Sequence, residues 1–276
     1  MSLDKPLIDI IIPNGGGEVV GETIEGIFKY SNYPEDRLRI IVISQGKYGG
    51  LKYLRSISER KNIYVINKQF NIPPPIPYND GLEFSSKLDP LSDFIHFLDD
   101  DLIPQESSFG WIDKFISFQE KWKFALCGAK ASYVQDKKIT EDSPVVPGVF
   151  GSGTFFFPRW LFDRIGYLDE RIPWHCADNQ YCVRTRLIEG LSLGVYPSSD
   201  TWFLHKHQSG TNVMPRQVHL FLKQISFEIF NSQVKEMYLD PSKWLEQHPL
   251  LRSRKPDYLF KYNCFSFDFR GYQDGE

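Results

Sequence analysis

The sequence predicts an α/β protein: a mostly parallel sheet flanked by helices, with a helical C-terminal tail. Three observations predict it. Short apolar, β-rich runs alternate with helix-length stretches through the first hundred residues. The runs at residues 7–13, 38–43 and 93–98 are apolar almost throughout, as strands buried on both faces are. Proline, glycine or polar residues close each run, which is the punctuation of strand-to-helix turns.

Leu7-Ile8-Asp9-Ile10-Ile11-Ile12-Pro13 reads as the opening strand, ended by proline. Asn14-Gly15-Gly16-Gly17-Glu18 is a flexible loop opening a helix that runs to about residue 30. It lacks the P-loop lysine and the spaced dinucleotide glycines, so neither motif applies. Asn32-Tyr33-Pro34 is a turn, residues 38–43 a second strand, and Ser44-Gln45-Gly46 the loop after it. Residues 51–60 read as a helix and 63–66 as a third strand. Ile72-Pro73-Pro74-Pro75-Ile76-Pro77 is too proline-rich for helix or sheet and reads as a rigid surface spacer. A short helix at 79–88 leads into the strand at 93–98.

The second half continues the pattern. Residues 106–122 form an amphipathic helix with Phe109, Ile112, Phe115, Ile116 and Gln119 on one side. One or two strands are expected in 124–134, an excursion loop at 136–147, and a strand at 149–157. Within that strand, Gly151-Ser152-Gly153-Thr154 permits close backbone approach to a ligand. Pro158-Arg159-Trp160 starts a helix ending near Gly166, and residues 178–189 form another, closed by Gly190. Late strands fall at 193–196 and 201–204. A long helix at 215–238 places Val218, Phe221, Leu222, Ile225 and Ile229 in its apolar stripe, and an aromatic, irregular tail follows. The expected division is a main domain at 1–212, with halves 1–104 and 105–212, and an extension at 213–276 packed on it.

Composition narrows the function. With 276 residues, 41% apolar and 24% charged, the chain can bury a real core. A net charge of -3 gives no electrostatic case for nucleic acid or an anionic membrane. Cys127, Cys176, Cys182 and Cys264 show no zinc or redox spacing, and nothing else indicates secretion. No signal peptide or bilayer-length apolar stretch is visible, so the expectation is a cytoplasmic protein, compatible with peripheral contact at the inner face of a membrane. Aromatic residues at 15% suit sugar-stacking surfaces, but an ordinary aromatic core accounts for them equally.

The segment with most chemistry is Phe97-Leu98-Asp99-Asp100-Asp101-Leu102-Ile103-Pro104. Ligands of open α/β sheets bind outside the carboxyl ends of strands. Three acids placed there repel one another unless a cation or protons intervene. On an extended segment Asp99 and Asp101 point one way and Asp100 the other. Two hard oxygen ligands on one side suit Mg2+ or Mn2+, which suits a bound diphosphate. Pro104 is expected to stop pairing, and Gln105-Glu106-Ser107-Ser108 to start a helix. The plainer reading is a solvated acidic turn that caps this helix.

Four pieces in order resemble the family-2 glycosyltransferases with the GT-A fold. Ile8-Asp9-Ile10-Ile11-Ile12-Pro13 is similar to the family's opening strand, and the acidic segment to its metal-binding DxD segment. Gly153-Thr154-Phe155-Phe156-Phe157-Pro158-Arg159 with Phe162-Asp163-Arg164-Ile165-Gly166-Tyr167-Leu168-Asp169-Glu170-Arg171 is similar to its acceptor-side strand, helix and turn. Ala177-Asp178-Asn179-Gln180-Tyr181-Cys182-Val183-Arg184 stands where the family's acidic helix stands. The resemblance covers roughly residues 7–210. The chain departs from the pattern at three points. Ser44-Gln45 replaces an acidic pair after the second strand, Ala177 replaces the first acid of the acidic helix, and Tyr78-Asn79-Asp80-Gly81 replaces a stretch that often holds arginine.

The resemblance implies a metal-dependent inverting transfer of sugar from a nucleotide-diphospho-sugar to a hydroxyl of a saccharide or glycan precursor. It implies Asp101 and Asp99 at the metal, with Asp99 nearer the ribose, and Asp100 at the nucleotide. His205 or His207 would complete the metal shell, although an isolated histidine is usually structural. Asp178 would be the base, and it also suits a plain helix cap. By position, Pro13, Asn14, Ser44, Gln45 and Asn79 would meet the nucleotide. Gly153, Thr154, Trp174 and His175 would meet the acceptor. Two other readings stand beside this one. The first is a non-catalytic sugar- or nucleotide-binding module. The second is a sugar-1-phosphate nucleotidyltransferase, which wants a basic residue that the loop at residues 14–18 lacks.

Overall fold

A run in which nearly every residue is apolar can form a strand only where both faces are covered. The computed structural model describes residues 5–15, 18–45, 54, 56–57, 60–68, 75–129, 151–173, 175–190, 192–206 and 216–254, and in it such runs stack side by side. In chain order the elements are β1 (Ile8–Asn14), α1 (Val19–Tyr30), β2 (Leu38–Gln45), β3 (Ile63–Lys68), α2 (Pro75–Ser85) and β4 (Phe94–Phe97). Next come β5 (Leu102–Pro104), α3 (Trp111–Trp122), β6 (Leu126–Ala129), β7 (Phe156–Pro158) and α4 (Arg159–Ile165). The chain continues with α5 (Ala177–Glu189), β8 (Leu193–Tyr196), β9 (Phe203–His205), α6 (Arg216–Leu239) and α7 (Pro241–Glu246).

Seven strands form one sheet in the order β3-β2-β1-β4-β7-β6-β8, while β5 and β9 make a separate ribbon. Only β7 runs against its neighbours in the sheet; the other pairings are parallel. Alternation along β1 and β2 builds two cores. Ile8, Ile10, Ile12, Ile40 and Val42 pack with Val20, Ile24 and Ile27 of α1 and with Trp111, Ile112 and Phe115 of α3. Ile11, Ile41 and Ile43 pack on the other face with Tyr78, Leu82, Phe97, Phe155 and Tyr181. His96 is buried, which lowers its pKa to about 4, and its Nδ1 bonds the Phe155 carbonyl.

Asp9 interrupts the apolar pattern of β1 and is fully buried. Arg39 Nε donates to its Oδ1 at 2.6 Å and Arg39 Nη2 to its Oδ2 at 3.1 Å, while Arg159 Nη2 stands 3.3 Å from Oδ2. Beyond the sheet, Met237, Trp244, Leu245 and Leu251 cluster against Val183, Leu187 and Ile188, so α6 and α7 rest on α5. Among the described residues no helix is long and apolar enough to cross a membrane. Cys127, Cys176 and Cys182 are buried.

Several expectations are corrected. Pro75 and Pro77 do not break a helix but open α2, because the first-turn N–H groups have no intrahelical partner to lose. Pro104 does not stop pairing; it sits in β5 opposite Phe203 of β9, in a two-stranded ribbon where a missing donor is tolerated. The helix expected from residue 106 is split: a 3₁₀ turn at Glu106–Ser108 precedes Gly110 in the left-handed region at φ 71°, and α3 follows. Phe109 is accordingly 52% exposed rather than part of the stripe. The glycine segment forms a 3₁₀ turn at Ser152–Thr154 before a short β7. On α6 Phe221 is 59% exposed, and Leu222, Ser226, Gln233 and Met237 form the buried stripe. The tail is not wholly irregular: Asp240 caps α7 by accepting from the Lys243 N–H at 3.0 Å. The excursion loop at 136–147 and most of the helix at 51–60 lie outside the described residues.

Gly110 and Gly166 both have positive φ, 71° and 76°, but only one is crowded. A β-carbon at Gly166 would overlap the carbonyl oxygen of Leu251, which accepts from the Tyr167 N–H at 2.7 Å. Gly110 has open space around it. Gly110→Ala should therefore cost about 1 kcal/mol of stability, the left-handed penalty alone. Gly166→Ala should cost about 3 kcal/mol or more, because backbone must also move. Equal losses in denaturant titrations would contradict this packing.

Candidate functional site

The chain passes from β1 outward to β2 and β3, then returns to place β4 on the other side of β1. That reversal makes the carboxyl ends of β1 and β4 a topological switch point, where such sheets bind ligands. Pro13 and Asn14 end β1, Ser44 and Gln45 end β2, and Asn14 pairs in register with Ser44. Asn14, Ser44 and Gln45 are buried, and Ser44 Oγ has no hydrogen-bond partner among the described residues. The acidic triplet leaves the end of β4.

Residues 99–101 form a turn rather than the extended segment expected, closed by the Leu102 N–H donating to the Asp99 carbonyl at 3.2 Å. The turn sends each carboxylate to a different partner. Asp99 Oδ1 accepts a short hydrogen bond from the Tyr78 hydroxyl on α2. A β-carbon at Gly153 would overlap Asp99 Oδ2, and the Asp99 N–H donates to the Gly153 carbonyl at 3.2 Å. Any side chain there would have to displace this carboxylate. Asp100 Oδ2 accepts from the Gly15 N–H at 3.1 Å, and the Asp100 carbonyl accepts from Thr23 Oγ1 of α1 at 2.6 Å. Asp101 is 2% exposed, and its Oδ2 lies 3.2 Å from His205 Nε2 of β9. The β5–β9 ribbon brings His205 there, with Leu102 opposite His205.

Crowding shows in the protonation equilibria. Burial raises the Asp99 pKa to about 6; the Tyr78 hydrogen bond opposes this, and Asp101 adds to it. Burial, then the charges of Asp101 and Asp99, raise the Asp100 pKa to about 8. The Asp101 carboxylate, 3.2 Å away, raises His205 above its ordinary value, and Asp99 adds to the effect. Asp99, Asp101 and His205 thus share one electrostatic neighbourhood.

These groups suit a divalent cation. Two carboxylates and an imidazole are donors that Mn2+ accepts, and the buried Asp101 Oδ2 lacks a well-aligned hydrogen bond. Among the described residues no group of three His, Cys, Asp or Glu side chains is placed to hold a metal ion. His207 lies outside the described residues.

Asp178 is the second residue of α5, half-buried, with Oδ1 accepting from the Asn179 N–H at 2.8 Å. Its charge contributes to the raised pKa of Asp99, which puts it within electrostatic reach of the cluster. His175 joins α5 to α6: its Nε2 lies 2.8 Å from His219 Nε2, and its N–H donates to Ser226 Oγ at 3.3 Å. Burial, then the His219 and Lys223 charges, lowers its pKa to about 4. Thr154 Oγ1 bridges the N–H and carbonyl of Ala129 on β6. Asn79 is buried and commits its amide to the Leu168 N–H and carbonyl and to Glu170 Oε1, each at 2.9 Å. Trp174 lies outside the described residues. Sequence reasoning missed Tyr78, Gly15 and Thr23. The prolines before Tyr78 hid its helix, and backbone donors such as the Gly15 N–H leave no residue signature.

The fold is that of an α/β protein with an acid cluster at the switch point of its sheet. No family model and no curated relative matches the chain. Solved structures do share the fold. The mannosyltransferase PcManGT from Pyrobaculum calidifontis, in complex with GDP-Man and Mn2+, matches with a TM-score of 0.60 and 14% identity, over 98% of this chain and 84% of that one. TarS 1-349 from S. aureus in complex with UDP-GlcNAc matches with a TM-score of 0.52 and 16% identity, over 92% and 77%. At such identities the likeness establishes the fold.

The pKa directions predict a pH dependence. Unfolded aspartates ionise near 4, whereas Asp99 and Asp100 do so at about 6 and about 8 in the fold. The folded state therefore binds more protons in that window, and stability falls as pH rises through it. His205, raised, acts in the same direction: its contribution is complete below the ordinary histidine pKa and is lost as pH rises through the raised value. In chelator, the melting temperature should fall from pH 5 to pH 8. Asp100→Asn should fall less and be the more stable protein at pH 8. Parallel curves would contradict the crowding.

Proposed function

We propose that this chain is a metal-dependent inverting glycosyltransferase that moves a sugar from a nucleotide-diphospho-sugar to a hydroxyl acceptor, a saccharide or glycan precursor. The observation that carries the reading is the triplet at the switch point, where Asp101 and His205 adjoin Asp99 and the start of α5 places Asp178 within electrostatic reach. The GDP-Man, Mn2+ and UDP-GlcNAc complexes of the structural neighbours support it. A bound Mg2+ or Mn2+ would supply Lewis-acid stabilisation of the departing diphosphate.

The chain's own residues divide the remaining work. Asp101, His205 and Asp99 hold the cation and the donor. Asp178 takes the proton from the attacking hydroxyl in a single in-line displacement, which inverts the anomeric carbon. Asp178 stands in the first turn of α5. The bond from the Asn179 N–H fixes the carboxylate's orientation.

Two measurements test this. In calorimetry with GDP or UDP, wild type should bind in Mn2+ and lose binding in chelator, while Asp101→Asn should bind weakly in both. Equal affinity in all four conditions would contradict the donor site. Once a donor and acceptor pair is found, Asp178→Asn should keep nucleotide affinity while transfer falls on the order of a hundredfold or more. Transfer at the wild-type rate would reduce Asp178 to a helix cap, and Asp169, Glu170 and His175 would be tested next.

A further inference from the structure

Tyr78 has no role in the proposed chemistry, yet neighbouring elements fix it closely. It is 2% exposed on α2, and its ring packs on Phe97 of β4 with centroids 4.4 Å apart. Three residues on, Gly81 lets α2 lie directly on β1, for a β-carbon there would overlap Ile11 Cγ2. The next residue, Asn79, ties the helix to Leu168 and Glu170. A ring so constrained aims its hydroxyl in one direction, and the group it meets is Asp99 Oδ1. On the other side of the same carboxylate, Oδ2 lies over the bare Cα of Gly153. Asp99 is only half-buried, so it retains an edge toward solvent.

We propose that Tyr78 is a positioning residue: its hydroxyl, bonded to Asp99 Oδ1, holds the Asp99 carboxylate in one orientation toward the donor. This rests on the donor-site reading above. A carboxylate oxygen that accepts one phenol proton keeps a second lone pair, so the bond orients Asp99 without withdrawing either oxygen from a ligand. Turning the carboxylate away from this orientation breaks its bond to the phenol.

The test is Tyr78→Phe, which keeps the ring and removes the hydroxyl. Crystal structures of wild type and Y78F should differ in the orientation of Asp99. In Mn2+, GDP or UDP affinity should fall roughly tenfold or more, the typical worth of a hydrogen bond to a charged group. A double-mutant cycle separates positioning from general support. Y78F added to D99N should cost almost nothing further, because the hydroxyl acts through Asp99. Additive losses, or an unmoved Asp99 with affinity within about twofold, would overturn the proposal. If wild type binds neither nucleotide, the donor-site reading fails and the Asp99 orientation alone decides this one. If Y78F does not fold, Gly153→Ala crowds the same carboxylate from the opposite side. It should displace Asp99 and lower Mn2+-dependent affinity, and an unmoved Asp99 would overturn the proposal.

Discussion

Like-charge repulsion at the end of a buried strand is the constraint on which the site depends. Asp99, Asp100 and Asp101 leave β4 within one turn, where low solvent access makes each charge costly and each neighbour makes the others costlier. The fold answers by giving each acid a partner from a different element. Tyr78 comes from α2, the Gly15 N–H from the loop after β1, and His205 from β9. Much of the topology serves this. Without the return of β9 alongside β5, Asp101 would face no imidazole, and without the close seating of α2 on β1, Asp99 would have no phenol.

The other end of the sheet shows what full compensation looks like. Asp9 is as buried as any acid among the described residues, but Arg39 grips both its oxygens, and Arg159 and Ser85 add further donors. Arg159 in turn bonds Ser92. A carboxylate so enclosed has nothing left to offer a ligand, and it serves the fold. Among the described residues the triplet is held with fewer donors than it has oxygens, and the raised pKa values of Asp99 and Asp100 record that deficit. An under-compensated cluster at a strand's carboxyl end is where a cation gains most by binding.

The sheet was legible because β1, β2 and β4 are buried on both faces, and such strands announce themselves by composition. Helices α1, α4 and α5 were legible from their periods and from closing residues such as Gly166 and Gly190. The misreadings share one physical cause: local rules met a tertiary context that altered their cost. Prolines at 75 and 77 fall in a first turn that needs no donors, and Pro104 falls in a two-stranded ribbon. Gly110 ends one turn and starts α3 where a continuous stripe was expected, which releases Phe109 to solvent. At the site, the acids and His205 could be named from sequence because they are chemically distinctive. Tyr78 and the clearance at Gly153 could not, since each owes its role to a residue distant in the chain.

The central claim is that the acid cluster at the β1–β4 switch point is a cation-dependent diphosphate site. Anomalous diffraction from crystals soaked in Mn2+ and GDP tests it most directly. The account predicts a manganese peak about 2 Å from an Asp101 oxygen, with the diphosphate bridging toward the loop after β1. A nucleotide bound at this edge without manganese, or a manganese peak remote from residues 99–101, would contradict it.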